Sequence, residues 1–371
     1  MSQASQQHST DTASLHLADH GWFYVGGNYT GLDDAGPMAG QMYVEYFIPE
    51  NQTHPYPVVM FHGGSQTGTN YTGTPDGRRG WAHDFLLAGY AVYVIDQAGR
   101  GRSNYAESLY GDYTGVKGPA ADCEIRFTAP ETIGNWPNAA LHTQWPGTGV
   151  HGDDVFDNFF ASQVNQIANR SVVEALNRDS GIALLDRIGP ALLLNHSQSG
   201  PFGWLIADQR PALVKGILAI EPNGPPFFEV TLTGGEDWYH FAEQRNRIYG
   251  IAHQPLTFDP PVADPAELDV MPDPKPAGEG RVQGFIQGEP ARSLPNLQGI
   301  PIMILVGEAS YHATYDHLTS RFLTQAGVDH DFIRLTDHGI MGNGHMMMCE
   351  MNNHVIADFL LAWLDANGPA G

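Results

Sequence analysis

The segment ALLLNHSQSGPFGW, residues 191–204, places a serine directly after an apolar run. Residues 191–194 predict a buried strand, and the residues from Ser199 onward predict a helix. A serine at a sharp strand-to-helix turn exposes its hydroxyl and can serve as a nucleophile, provided that small residues lie two positions to either side. Those positions hold Asn195 and Ser199, which tolerate turns but are not glycine. Ser197 is therefore a candidate nucleophile, and the alternative is a serine in a polar loop or at a helix N-cap.

A serine nucleophile also needs N–H donors for the negative charge that develops on the attacked carbonyl oxygen. The segment FHGGSQTG, residues 61–68, follows another predicted strand. Its loop is in the position that supplies one such donor, and the residue after the nucleophile supplies the other. We therefore predict that the backbone N–H groups of Gly64 and Gln198 form an oxyanion hole. The alternative for the first segment is a plain glycine turn.

The general base should come late in the chain, after the last predicted strand. The segment DHGIMGNGHMMMCE offers His338 and His345. His345 lies between a glycine-rich loop and the final predicted helix, so it is the preferred base. His338 follows the strand directly and is predicted to be structural.

Two glutamates could orient the base and stabilise its charged form. Glu308 ends the predicted strand IPIMILVG, which is the commoner position for such an acid, and Glu221 ends the preceding strand ILAI. The residues alone leave both alternatives open.

Apolar runs bounded by glycine-rich turns alternate with helical patterns along the chain, which predicts an α/β fold with a mostly parallel sheet flanked by helices. Two segments rich in Gly, Pro and aromatic residues interrupt this alternation and predict a cap. The predicted organisation is a flexible leader (1–18), a core (19–103, 187–222 and 299–371), a cap insertion (104–186) and a second cap or loop insertion (223–298).

The composition disfavours two classes of binding partner. The 371 residues include 18 Lys+Arg against 41 Asp+Glu, for a net charge of −23, which disfavours nucleic acids and anionic membrane surfaces. The spacing of Cys123 and Cys349 indicates no metal site, and whether the two pair stays open. Residues 1–21 are polar and lack the features of a secretory signal, which predicts a cytoplasmic protein, with secretion or a periplasmic location left open.

Several stretches resemble an α/β-hydrolase group of microbial esterases. They are HGGSQTG, TPDGRRGWAHDFLLAGYAVYVIDQAGRGRS, NHSQSG, IEP and GNGHMMM followed by NN. In that group the first serine of H-S-Q-S-G is the nucleophile, the acid is a glutamate after the strand that follows the elbow helix, and the histidine precedes the methionine run. The resemblance implies the α/β-hydrolase fold and a triad of Ser197, Glu221 and His345, and it favours Glu221 over Glu308. Some relatives carry adjacent cysteines after His-Gly, where this chain has Gly64-Ser65.

These features together predict a serine hydrolase that cleaves a carboxylic ester or lactone through an acyl-enzyme on Ser197, without metal or organic cofactor. The alternatives are a carbon–carbon bond hydrolase and a catalytically silent binding protein on the same fold. Aromatic residues in the insertions indicate either ordinary packing within the cap or a large apolar pocket for a bulky or aromatic ester. A homodimer stays open. The predicted pocket residues are His196, Phe227, Phe228, Trp238 and Met346.

Overall fold

Eight strands form the central sheet of the computed structural model, which describes residues 14–31, 35–114 and 120–369. They are β1 (Leu17–Tyr29), β2 (Met38–Pro49), β3 (Val58–Phe61), β4 (Val92–Asp96), β5 (Ala191–His196), β6 (Val214–Ile220), β7 (Ile302–Val306) and β8 (Asp331–Arg334). Their order in the sheet is β1-β2-β4-β3-β5-β6-β7-β8. The β1–β2 and β2–β4 pairs are antiparallel and the remaining neighbours are parallel. The predicted α/β fold with a mostly parallel sheet is confirmed.

Helices cover both faces of this sheet. The longer ones are α1 (Trp81–Leu87), α2 (Asp154–Ala161), α3 (Arg170–Ile188), α4 (Gly200–Gln209), α5 (Asp316–Gln325) and α6 (Asn353–Asn367). Single helical turns occur at Thr69–Thr72, Glu107–Tyr110, Ala120–Cys123, Glu124–Thr128, Pro130–Thr132, Ala139–Leu141, Ser197–Ser199, Pro265–Glu267, Pro295–Leu297, Tyr311–Thr314 and Leu335–His338.

The apolar runs of the central strands divide between two cores because successive side chains of a strand point to opposite faces. Phe61 and Leu193 belong to the core that contains α3 and α4. Leu192 and Leu194 belong to the other core, with Phe85 of α1 and Leu360 of α6. Fully burying such side chains contributes about 1.5–3 kcal/mol each. A strand buried on both faces therefore holds its carboxyl end in a fixed place.

The predicted segment boundaries differ from the observed elements. β1 begins at Leu17, within the predicted leader, and residues 1–13 of that leader lie outside the described residues. In the predicted 104–186 insertion, α2 is followed by the short strand Gln166–Ile167, which pairs with Tyr113–Thr114, and then by α3, which continues to Ile188. α3 packs against β1, β2 and α4, so this part of the 104–186 segment lies on the sheet.

The 223–298 segment contains regular structure of its own. Strand Phe228–Leu232 pairs with Tyr239–Arg245, and Val270–Pro272 pairs with Phe285–Gln287. No disulfide joins Cys123 to Cys349, and both side chains are buried. Across the described ranges, no helix combines the length and the apolar character needed to cross a membrane.

Candidate active site

Ser197 lies at the turn between β5 and α4. Its φ is 53°, in the left-handed region that non-glycine residues rarely adopt. Such strained backbone occurs preferentially at functional sites, where the surrounding structure holds it. A turn of 3₁₀-helix, Ser197–Ser199, connects the strand to α4.

Hydrogen bonds from the two flanking residues hold this turn. The Asn195 side-chain amide donates to the Ser199 carbonyl at 3.0 Å. Ser199 Oγ accepts from the His196 N–H at 2.8 Å and lies 2.8 Å from the Phe61 carbonyl of the neighbouring strand β3. Asn195 and Ser199 therefore stabilise the turn with their own polar groups, and this explains how it forms without glycine at these positions.

The elbow lies directly against the loop that carries Glu221. A Cβ at Gly200 would come within 2.5 Å of Pro222 Cβ, so glycine is needed there for close approach. The Asn223 N–H donates to the Ser197 carbonyl at 2.8 Å. A hydrogen bond between main-chain groups thus joins Ser197 to the loop that carries Glu221.

Glu221 is fully buried, and both of its carboxyl oxygens accept hydrogen bonds. Oε1 accepts from the Gly307 N–H at 2.8 Å, and Oε2 accepts from Ser310 Oγ at 2.6 Å and lies 2.5 Å from His345 Nδ1. Burial raises the pKa of Glu221 to about 7, although the hydrogen bonds from Ser310 and Gly307 oppose this shift. Its φ of 46° is a second left-handed backbone conformation in the site.

Glu308, the alternative acid, lies elsewhere. Its Oε2 accepts from the Gly342 N–H at 2.7 Å, so it holds the loop that leads to His345 and is not the partner of the ring in this structure. Of the two glutamates, the geometry brings Glu221 to the histidine.

His345 is buried and held by several aromatic rings. His196 Nε2 donates to the His345 carbonyl at 3.0 Å, which ties the histidine loop to the elbow. The His312 ring stacks on the His345 ring at 4.7 Å and 9°, and the Phe127 ring does so at 5.4 Å and 21°. These contacts fix the plane of the imidazole.

The predicted oxyanion residues line the same cavity as Ser197 and His345. Among the described residues, neither the Gly64 N–H nor the Gln198 N–H donates to a backbone carbonyl. The buried guanidinium of Arg100 holds this region, because it donates to the Gly63 carbonyl at 2.8 Å and to Gln198 Oε1 at 2.8 Å. Burial lowers the pKa of Arg100 to about 9.

The cavity has a volume of about 800 Å³. This size is in the range of small-molecule sites. Its lining residues are Gly64, Ser65, Gln66, Thr114, Asp122, Cys123, Ile125, Arg126, Phe127, Asn135, Trp136, Gln163, Arg170, Ser197, Gln198, Asn223, Glu229, Val230, Thr231, Leu232, Tyr311, Tyr315 and His345.

The five predicted pocket residues are absent from the lining of this cavity. Phe227 is buried against Phe322, at 5.7 Å between ring centroids. Met346 is fully buried in the core beside α1 and α6. His196 lies behind the serine, where it holds the His345 loop.

Phe228 begins the strand Phe228–Leu232, and Trp238 immediately precedes the strand that pairs with it, Tyr239–Arg245. Phe228 packs on Phe285 at 4.5 Å, and Trp238 packs on Tyr239 at 4.8 Å. These aromatic side chains pack with other residues of their own segment. The strand Phe228–Leu232 lines the cavity instead with Val230, Thr231 and Leu232.

Sequence reasoning missed the segment Ser310–Asp316, which follows β7 at its carboxyl end. Tyr311 lines the cavity together with Ser197. Burial raises the pKa of this phenol, which keeps it protonated. His312 Nδ1 lies 2.9 Å from Asp316 Oδ1. The available signal was the cluster SYHATYD after a buried strand, since such strand ends are where sites form in parallel sheets.

One group of potential metal ligands lies within this site. Glu221, His312 and His345 each offer a ligand atom, all within 4.8 Å of one another. Hydrogen bonds already use both oxygens of Glu221, and the Nδ1 atoms of the two rings already lie against carboxylates. These three residues therefore form a hydrogen-bonded cluster rather than a set of free metal ligands.

Comparison with known proteins shows the family. No model of a known protein family matches the sequence. The chain is 44% identical over 349 residues to a fungal protein (strain ATCC 74256) described as a probable secreted lipase, phiG, and the match covers 92% of this chain and 88% of that protein. The atomic-resolution structure of a novel bacterial esterase superposes with a TM-score of 0.59 at 22% identity, covering 96% of this chain and 98% of the esterase. The chain therefore belongs to the family of this fungal lipase and has the α/β-hydrolase fold.

Proposed function

We propose that the protein is a serine hydrolase that cleaves a carboxylic ester through an acyl-enzyme on Ser197. The observation that carries this proposal is the His345 ring: Glu221 Oε2 lies 2.5 Å from its Nδ1, and the residue lines the cavity at the elbow of Ser197. The fungal relative and the bacterial esterase support an ester-hydrolysing chemistry.

His345 acts as the base. Since Glu221 engages Nδ1, the nitrogen that exchanges a proton with Ser197 is Nε2. The serine oxygen attacks the ester carbonyl while Nε2 takes its proton, and Glu221 stabilises the imidazolium that forms. The proton then passes to the leaving alcohol.

The developing oxyanion accepts hydrogen bonds from the N–H groups of Gly64 and Gln198. Each such donor typically contributes on the order of 10²–10³ in rate. Arg100 holds both residues in place through Gly63 and the Gln198 side chain. Water then attacks the acyl-enzyme by the same route in reverse, which releases the acid; a lactone would react identically but would leave acid and alcohol in one product.

The fungal relative also bears on the cellular location of this protein. The cytoplasmic location predicted from the N-terminal composition has no support in the comparison, because the fungal relative is described as secreted. We propose that this protein is secreted as well. Its recovery from the culture medium of its source cells, compared with a cytoplasmic marker, tests this.

Covalent labelling tests the mechanism. A fluorophosphonate probe should label the wild type and not Ser197→Ala, and ester turnover should be lost with the label. Ser65→Ala is the matched control, because Ser65 lines the same cavity and its buried Oγ has no hydrogen-bond partner among the described residues. Undiminished labelling or turnover of Ser197→Ala would refute the proposal, and product analysis separates ester from carbon–carbon cleavage.

A further inference from the structure

Two arginine side chains, Arg126 and Arg170, line the cavity. Neither Arg126 nor Arg170 takes part in a hydrogen bond or ion pair with any residue that the structure describes, although both line the cavity of Ser197. Other arginines, such as Arg102 and Arg210, bind carboxylates. The chain has only 18 Lys+Arg against 41 Asp+Glu, and two of these cations line this one cavity.

Arg126 lies on the histidine side of the cavity. Its side chain is exposed, and its guanidinium carbon is 6.0 Å from the centroid of the Tyr311 ring. The neighbouring residue, Phe127, stacks on the His345 ring. Arg126 therefore lies beside Tyr311, in the cavity that Ser197 also lines.

Arg170 lies on the oxyanion side. It is the first residue of α3, whose N-terminal N–H groups are capped by Asn169, and it is half-buried. It is close enough to Arg100 that the two positive charges oppose each other. Arg100 in turn is hydrogen-bonded to the side chain of Gln198, the residue after Ser197.

The acidic residues of the lining leave this positive charge largely uncompensated. Glu229 is paired with Arg247, with 2.9 Å between Oε2 and the guanidinium. Asp122 is exposed at the rim and forms no ion pair with a described residue. A guanidinium binds a carboxylate with two parallel hydrogen bonds, so an anionic substrate group would supply the missing partner.

We propose that the cavity accepts esters that carry a free carboxylate away from the scissile bond, bound by Arg126 or Arg170. This inference rests on the proposed function. The carboxylate takes no part in the covalent steps: the ester and water give an acid and an alcohol, and the charged group only positions the substrate. Its binding restricts the ester to one orientation at Ser197.

The experiment compares matched esters with and without the charge. One pair carries it in the acyl part (4-nitrophenyl hydrogen suberate and its methyl ester), and the other in the alcohol part (4-carboxyphenyl butyrate and its methyl ester). We expect kcat/KM to be about tenfold or more higher for the acid of at least one pair. Arg126→Gln, Arg170→Gln or the double variant should reduce this ratio to about one, because kcat/KM should fall much more for the acid than for its methyl ester.

Arg281→Gln is the matched control, because Arg281 lies outside the cavity lining, and it should keep the wild-type ratio. No preference for the acid in either pair, or a preference that survives the double variant, overturns the inference. Neither result touches the proposed function, which fails only if Ser197→Ala still labels or turns over ester.

Discussion

The pairs His345–Glu221 and His312–Asp316 are chemically alike and lie side by side, with their rings stacked at 4.7 Å and 9°. In each, Nδ1 lies against a carboxyl oxygen, at 2.5 Å and 2.9 Å respectively. They differ in access: His345 lines the cavity with Ser197, whereas His312 is buried behind it and is absent from the lining. A histidine beside a carboxylate is therefore no sign of a catalytic base unless it can also reach the nucleophile.

Burial affects the second pair accordingly. It lowers the pKa of His312 to about 4 and raises the pKa of Asp316 well above its ordinary value. Both groups are thus favoured in their neutral forms. We infer that the His312–Asp316 pair acts as a neutral support for the His345 ring, while the Glu221–His345 pair handles the proton.

The largest expected effect comes from making the same substitution in the two rings. His345→Phe should reduce kcat/KM by about 10⁴-fold or more, because no base remains. His312→Phe keeps a ring stacked on His345 and should cost less than about tenfold. Equal losses in two folded variants, measured by ester turnover and thermal unfolding, would contradict the division of roles. His338→Ala is the control, because that histidine is exposed and outside the cavity lining.

Substituting the carboxylate of each pair tests the same difference between them. Glu221→Gln should reduce kcat by about 10³-fold or more, because an amide stabilises neither the imidazolium nor the required tautomer. Asp316→Asn should change kcat by less than about fivefold, because the amide is close in shape to the neutral acid. Glu308→Gln, the control at the alternative position, should stay close to wild type. A greater loss in Glu308→Gln than in Glu221→Gln would reinstate Glu308 as the acid.

The buried charge of Glu221 should also appear in the pH dependence of stability. Its folded pKa, about 7, is raised by burial above the ordinary value of 4.5, so its contribution is fully present below about pH 4.5 and is lost as the pH rises through 7. Relative to Glu221→Gln, the wild type should lose about 2 kcal/mol of unfolding free energy between pH 5.5 and 7.5. Urea unfolding of both proteins at the two pH values measures this, and a difference independent of pH would contradict it.

The smallest effect concerns Tyr311, which packs on both histidine rings and lines the cavity with Ser197. Its ring lies 4.6 Å from the His312 ring and 4.7 Å from the His345 ring. Tyr311→Phe keeps the rings packed and removes the hydroxyl, so kcat should fall by up to about tenfold with little change in melting temperature. An unchanged kcat would show that the hydroxyl does not position Ser197.

Much of the sheet could be predicted from sequence because buried parallel strands appear as short apolar runs between turns. The runs of β3, β5 and β7 each end in a polar segment, and those ends meet at one edge of the sheet. The insertions were harder to predict. The aromatic residues Phe227, Phe228 and Trp238 indicated a pocket. Instead, Phe227 packs on Phe322 of α5, and the other two pack on aromatic residues of their own segment, because a large apolar side chain satisfies a local core as readily as a ligand site.

The sequence by itself determined the order of the chemical groups: a serine at a strand-to-helix turn, a glycine loop before it, and a histidine far after it. The tertiary structure decided which glutamate contacts His345, because Glu221 and Glu308 both follow buried strands. Only the path of the folded loops places Glu221 against His345 and Glu308 against the Gly342 N–H. It alone also brought Tyr311, His312 and Arg100 into the site. Contacts between side chains so distant along the chain depend on how loops cross the sheet edge, and no local pattern of residues specifies that crossing.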